Sequence, residues 1–162
     1  MRPCVIVVRI SGVRIFTFEA ELWLPRPREE VFHFFADAAN LEAITPAFLN
    51  FHTLTPQPIE MRVGTLIDYK LRVRGIPLKW RTEITAWEPP FRFVDEQLRG
   101  PYRQWIHEHR FEPSRGGTLC TDSVKYAVLG GTIINELIVK RDVAAIFAYR
   151  NEQLTRRFGA GT

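Results

Sequence analysis

Cysteine is scarce in this sequence, with only Cys4 and Cys120, and the two do not form a C-x-x-C pair. This scarcity excludes a disulfide framework, and a reducing cytoplasm is therefore the expected location. The spacings typical of a zinc site, a phosphate-binding loop and a nucleophile elbow are missing as well. We therefore expect neither a metal nor a cofactor.

Long hydrophobic runs and runs of basic residues are also missing. The apolar run from Val5 to Val8 is shorter than the roughly 7–15 residues of a signal-peptide core or the roughly 20 of a membrane span, so stable membrane insertion is not expected. The 18 arginines and 4 lysines give a net charge of +4, but they are scattered among carboxylates. Because nucleic-acid binding needs a basic stripe, the sequence argues against a nucleic-acid partner.

The length and composition are those of one globular domain. The chain has 162 residues, of which 46% are hydrophobic and 25% charged, which is enough to bury a core. We interpret residues 13–158 as this domain. Residues 1–12 are interpreted as an N-terminal extension that is either disordered or an added strand.

Hydrophobic periodicity predicts the order of the elements. Alternation over residues 14–23 predicts a half-buried strand. Helical spacing then predicts a helix over residues 28–39, followed by a second short helix that Asn40 caps. Further alternation predicts six strands, at residues 48–54, 64–73, 76–87, 91–98, 102–111 and 118–126. A last apolar stripe predicts one long helix over residues 132–158.

This order predicts an α+β fold in which one long helix lies over a curved sheet. About seven strands form a curved antiparallel sheet, with two short helices after the first strand. The long C-terminal helix, about 40 Å at 1.5 Å per residue, lies over the concave face. Because one helix rarely fills a curved sheet, we expect a cavity between them.

Three stretches of sequence are similar to a known superfamily. They are WLPRPREEVFHFFADAANLEAITP, GTLIDYKLRVRGIPLKWRTEITAWEPPFRFVDEQLRGPYRQWIHEHRF and the D-x-V-x-Y pattern that starts at Asp122. Over about residues 14–158 the chain resembles the START-like, or SRPBCC, superfamily, and within it the bacterial single-domain ligand-binding proteins labelled cyclase/dehydrase-like. The resemblance implies the helix-grip fold. It leaves the function open, because the superfamily includes lipid carriers, hormone receptors, polyketide aromatase/cyclases and oxygenase domains.

The strand that contains WIHEHRF combines histidines with large aromatic residues. Alternation places Trp105, His107, His109 and Phe111 on one face. Because the other aromatic-bearing faces of the predicted sheet point inward, we expect this face to line the cavity. The two imidazoles would then be its polar groups.

Two carboxylates are expected beside these imidazoles. A three-residue loop after Arg99 places Asp95 opposite His107 and Gln97 opposite Trp105. A six-residue loop over residues 112–117 places Asp122 opposite His107, and a slip of two residues places Asp122 opposite His109. Either register puts Asp and His side chains within hydrogen-bonding distance, since cross-strand partners lie about 4.5–5.5 Å apart at Cβ.

This cluster is open to three interpretations. In the first, the groups satisfy one another as ordinary buried polar residues, and in the second they orient the carbonyl or hydroxyl of a ligand. In the third they carry chemistry, either with a histidine as general base or with a metal held by His107, His109 and one aspartate. The candidate catalytic residues are His107, His109 and Asp95. The candidate ligand-binding residues are Tyr69, Trp80, Phe93, Asp95, Gln97, Trp105, His107, His109, Asp122, Tyr126 and Phe147. Arg141 and Arg150 interrupt the last apolar stripe; each could cap the mouth of a pocket, but we expect both to be exposed to solvent.

We favour the binding or transport of a hydrophobic small molecule, such as a lipid, an isoprenoid quinone or an aromatic polyketide. The alternative is a polyketide-type cyclase or dehydratase that uses His107 as general base. A third hypothesis, a non-enzymatic protein that binds a macromolecular partner, predicts an exposed apolar patch and no internal cavity. The sequence leaves the oligomeric state open.

Overall fold

The structure is a computed structural model, which describes residues 5–10 and 13–159. Its strands form one eight-stranded antiparallel sheet in the order β1-β2-β8-β7-β6-β5-β4-β3. The strands are β1 (Val5–Ile10), β2 (Val13–Leu24), β3 (His52–Thr53), β4 (Leu66–Val73), β5 (Ile76–Glu88), β6 (Arg92–Arg99), β7 (Gln104–Ser114) and β8 (Gly117–Ala127). The predicted α+β helix-grip class is confirmed, with one strand more than expected because β1 pairs along β2.

The N-terminal prediction is only partly covered by the structure. Residues 1–4 and 11–12, which the prediction included, lie outside the described residues. Residues 5–10 form an edge strand. The domain boundary at residue 13 stays a prediction.

Helical segments lie between β2 and β3 and after β8. They are α1 (Arg28–Ala36), two short 3₁₀ helices (Ala38–Ile44 and Ala47–Leu49), α2 (Gly131–Ile134), a π-helical segment (Asn135–Val139) and α3 (Lys140–Gly159). No helix within residues 5–10 and 13–159 combines the length and apolarity of a membrane span.

The predicted strand over residues 48–54 is largely wrong. Only His52 and Thr53 pair with β4, and the residues before them form the second 3₁₀ helix. Pro46 stands at the start of this helix, where its fixed φ suits a helical turn. Asn50, with φ of 42°, adopts the left-handed conformation that ends it.

The C-terminal helix packs across one face of the sheet. Phe16 and Phe18 of β2 and Val124 of β8 are buried beneath α3, where the ring of Phe18 lies 4.8 Å from that of Phe147. A second cluster joins α1 to β6, β7 and the end of α3. The helices thus cover the face of each strand that alternation predicts to be apolar.

The π-helical segment before α3 is fixed by a buried hydrogen bond. Tyr126 Oη donates to Asn135 Oδ1 over 2.9 Å, and both residues are inaccessible to solvent. A π-helical turn interrupts the regular backbone pattern, and this side-chain bond ties it to the middle of the sheet.

Replacing Tyr126 by phenylalanine is expected to lower the free energy of unfolding by about 1–3 kcal/mol, because the amide oxygen of Asn135 loses its buried donor. Urea denaturation measures the change. Tyr149→Phe is the matched control: Tyr149 is half-buried on α3 and has no side-chain hydrogen bond within the described part of the chain. Equal stability losses in the two variants would contradict the prediction.

Candidate functional site

A cavity of about 210 Å³ lies between α3 and the covered face of the sheet. Strands β4 to β7 form its floor, α1 and the two 3₁₀ helices form one side, and α3 lies over it. Eight of the predicted ligand-binding residues line it: Tyr69, Trp80, Phe93, Asp95, Trp105, His107, His109 and Phe147. Most of the wall is aromatic or aliphatic, and the histidines, Asp95 and Arg150 form a polar region within it.

Three of the predicted ligand-binding residues lie away from the wall. The side chain of Gln97 donates to the carbonyl of Tyr102 over 2.7 Å and so closes the β6–β7 turn. Tyr126 is buried under α2 and the π-helical segment, where it holds Asn135. Asp122 lies behind the histidines and contacts both of them.

The strand registers explain how the polar groups meet. Asp95 pairs with His107 across β6 and β7, and His109 pairs with Asp122 across β7 and β8. The second pairing is the predicted alternative in which β8 is shifted by two residues. The shift arises because the β7–β8 connection is only two residues long. Arg115 and Gly116 both have positive φ, 49° and 75°, as a tight type I′ hairpin requires. The six-residue loop expected over residues 112–117 is therefore wrong.

The four side chains form two hydrogen-bonded pairs that ionic contacts join into one network. His107 Nε2 lies 2.9 Å from Asp122 Oδ1, and His109 Nε2 lies 2.9 Å from Asp95 Oδ2. His109 Nδ1 is also 2.9 Å from Asp122 Oδ1, but its N–H is not directed at that oxygen, so the contact is an ion pair without a good hydrogen bond. His107 Nδ1 lies 3.7 Å from Asp95 Oδ2.

Both carboxylates are stabilised in their ionised form. Burial raises the pKa of Asp95, but the hydrogen bond from His109 and the charges of His107, His109 and Arg150 outweigh it, so the pKa lies below its ordinary value. Burial also raises the pKa of Asp122, yet the charge of Arg150, the hydrogen bond from His107 and the close contact with His109 hold it well below the ordinary value. Buried charges are tolerated only when paired in this way.

The two histidines differ in protonation. Burial and the neighbouring charge of His109 lower the pKa of His107, so this imidazole is neutral near pH 7. Burial lowers the pKa of His109 too, but its contacts with Asp122 and Asp95 outweigh burial and raise that pKa overall. The strand thus places an imidazole whose neutral form is favoured beside one whose charged form is favoured, with their ring centroids 3.7 Å apart.

Arg150 is the polar wall residue that the sequence interpretation missed. Its expected exposure is wrong, because only 8% of the residue is accessible. The guanidinium lies over the rings of Phe35 and Phe147, with centroid distances of 5.1 and 5.7 Å. The spacing from Phe147 to Arg150 and then to Leu154, three and four residues, puts Arg150 on the buried stripe and could have revealed it.

Asp95, His107 and His109 also satisfy the spacing of a metal site, since one donor atom from each lies within 4.8 Å of the others. The observed arrangement is less suited to a cation, because the histidine nitrogens already face carboxylates as hydrogen-bond partners. The positive charge of Arg150 acts on both carboxylates as well. The contacts are those of a self-paired network that faces a cavity.

Comparison with known proteins identifies the family. The model of the family described as polyketide cyclase/dehydrase and lipid transport matches residues 24–144. The chain belongs to this family. Residues 24–144 contain β3 to β8, the first turns of α3 and every polar wall residue except Arg150. No curated protein is similar in sequence to the chain.

Solved structures confirm the START-like, or SRPBCC, fold of this polyketide cyclase/dehydrase family member. Protein CV1439 from Chromobacterium violaceum is 16% identical with a TM-score of 0.70, over 90% of this chain and 98% of the other. Ginseng major latex-like protein 151 from Panax ginseng is 12% identical with a TM-score of 0.68, over 91% and 99%. Protein Ms6760 from Mycobacterium smegmatis is 18% identical with a TM-score of 0.64, over 97% and 99%. At these identities the likeness concerns the fold.

Proposed function

We propose that the chain binds one hydrophobic small molecule in the cavity beneath α3. The observation that carries this proposal is the cavity of about 210 Å³ with a mostly apolar wall and one polar region, the usual form of a small-molecule site. The family description, which names lipid transport and polyketide chemistry, supports the same class of ligand. The cytoplasmic location inferred from the cysteines stays a prediction.

The cavity size narrows the ligand. An apolar cavity of about 150 Å³ holds benzene, so about 210 Å³ suits a one- or two-ring aromatic compound or a short isoprenoid better than a two-chain lipid. Burial of the ligand's apolar surface supplies affinity at about 25 cal/mol per Å² before the cost of association. Trp80 and Trp105 both line the cavity, and their rings meet edge to face at 5.6 Å, so they offer such a ring an apolar corner.

The polar residues would orient the ligand. Asp95, His107 and His109 present donors and acceptors to the cavity, while Asp122 holds the two histidines in place. Gln97 and Tyr126 leave the proposed ligand contacts, because their side chains are engaged elsewhere. The cavity argues against the hypothesis of a protein that binds a macromolecular partner, because that hypothesis predicts no internal cavity.

Filling the cavity is expected to abolish ligand binding. Ile146→Trp adds an indole from α3, since Ile146 lines the wall, and affinity for the neutral probe 2-naphthamide should fall at least about tenfold because the probe and the indole compete for one volume. Calorimetric titration measures the affinity. Ala145→Trp, on the exposed side of the same helix, is the control and should leave the affinity unchanged.

Native mass spectrometry of protein purified from its own host gives an independent test. A co-purifying molecule that is present in the wild-type protein and in Ala145→Trp, and lost in Ile146→Trp, supports the proposal. Equal retention in all three proteins would place the molecule outside the cavity and contradict it.

His107 favours a cyclase or dehydratase as the second candidate. Its Nε2–H donates to the ionised Asp122, which leaves a lone pair on Nδ1 as the base on the cavity wall. Such a base would take a proton from carbon between two carbonyls of a polyketide-like substrate and give an enolate. Deuterium exchange into a 1,3-dicarbonyl probe, lost in His107→Gln and kept in His33→Gln at an exposed site, would support it. Equal exchange with and without protein would count against it.

A further inference from the structure

We propose that the cavity contains an acid-binding subsite at Arg150, so that the ligand carries a carboxylate or an equally acidic oxygen on its hydrophobic body. The inference rests on the proposed function and names the chemistry of the ligand's polar end. Arg150 lies on α3, lines the cavity and is 8% exposed. A guanidinium is always charged, so a buried one requires a partner.

Arg150 has no ion-pair partner among the side chains that the structure describes. Within residues 13–159, no carboxylate oxygen lies within 4.0 Å of its nitrogens, and its buried Nε has no hydrogen-bond acceptor. The exposed Arg74, Arg81 and Arg92, by contrast, each bind a carboxylate through two nitrogens. Arg150 is buried and therefore needs a charged partner more than the exposed arginines do, yet it has none within residues 13–159.

The nearby carboxylates are already used by other groups. Asp122 accepts from His107 and contacts His109, while Asp95 accepts from His109 and lies 3.4 Å from the hydroxyl of Thr82. These contacts hold both carboxylates on the sheet side of the cavity. Arg150 approaches from the helix side, where its charge influences both carboxylates without a direct ion pair.

Two aromatic rings hold the guanidinium in place. Phe35 of α1 and Phe147 of α3 lie against it at 5.1 and 5.7 Å. Such rings cover a cation's face and leave its N–H edges free, and those edges match the two oxygens of a carboxylate. The acid group of a ligand would thus meet Arg150 while its rings contact the aromatic wall.

The test compares two probes that share a ring system and differ in charge, 2-naphthoate and 2-naphthamide, by calorimetric titration near pH 7. We expect the wild-type protein to bind the acid roughly ten- to hundredfold more tightly than the amide, since a charge-assisted hydrogen bond contributes about 1.5–3 kcal/mol. Arg150→Met should lose this preference and keep its affinity for the amide. Arg150→Lys should restore part of it.

Arg157→Met is the matched control, because Arg157 stacks on Phe34 at 4.6 Å on the exposed surface of the same helix. It should keep the wild-type preference. Equal affinity of the wild-type protein for both probes would overturn the acid subsite, whether or not Arg150→Met folds, and so would an unchanged preference in a folded Arg150→Met. Binding of neither probe would instead count against the proposed function.

Discussion

Replacing Asp122 by alanine is expected to lower the free energy of unfolding by about 3–5 kcal/mol, the cost of removing one partner from a buried ionic network. Asp122 is 6% exposed and lies 2.9 Å from nitrogens of both His107 and His109. Its removal leaves the charge of His109 and Arg150 balanced only by Asp95. Urea denaturation near pH 7, followed by tryptophan fluorescence, measures the loss.

The control for this prediction is the Asp68–Arg81 ion pair, which has two short hydrogen bonds but is more exposed to solvent than Asp122 and its partners. Asp68 accepts two hydrogen bonds of 2.8 Å from Arg81 at the surface. Because solvent screens exposed pairs, Asp68→Ala should change stability far less than Asp122→Ala. If the two variants lose the same stability, burial does not decide the strength of the network and the prediction is wrong.

Most of the sheet could be predicted because its strands have one buried face. Alternation in β4, β5, β7 and β8 identifies the residues that face α3, and the short loop after Arg99 determines the pairing of Asp95 with His107. These are local signals: side-chain direction follows from position parity, and the register of a hairpin follows from its turn. The resemblance to the superfamily added the helix-grip topology.

The wrong predictions concern positions where the residue type does not reveal the backbone conformation or the side-chain partner. Arg115 adopts a positive φ that a non-glycine residue seldom takes, so the two-residue turn that sets the β7–β8 register was not evident. The prediction of an exposed Arg150 places this residue about one face away from the apolar stripe, although its spacing from Phe147 and Leu154 puts it on that stripe. Gln97 has the correct parity for the cavity, but it lies where the β6–β7 turn offers its side chain a backbone partner.

The stability of the protein is expected to be greatest near pH 6.5 and to fall on both sides. The folded pKa of His107 is lowered, so its contribution is complete above about pH 6.5 and is lost as the pH falls towards that folded pKa. The folded pKa of His109 is raised, so its contribution is present below about pH 6.5 and is lost as the pH rises through that pKa.

The carboxylates add a second, steeper loss in acid. The folded pKa values of Asp95 and Asp122 are both lowered, so their contribution is complete above about pH 4 and is lost as the pH falls through those values. Each proton that only the unfolded chain binds lowers the free energy of unfolding by about 1.4 kcal/mol per pH unit. Because two carboxylates contribute, the free energy of unfolding should fall about twice as steeply with pH in this acid range as it does where a single histidine titrates.

Urea titrations of two variants from pH 3 to pH 9 measure the free energy of unfolding and assign its fall below and above about pH 6.5 to one histidine each. His107→Gln should flatten the decline between about pH 6.5 and 4, and His109→Gln should flatten the decline above about pH 6.5, because each removes the group whose proton binding differs between the folded and unfolded states. His33→Gln, at an exposed position on α1, should leave the wild-type curve unchanged. A curve of wild-type shape in both cluster variants would show that the pKa values of these two neighbouring imidazoles are not shifted in opposite directions, and the neutral base assigned to His107 would be withdrawn.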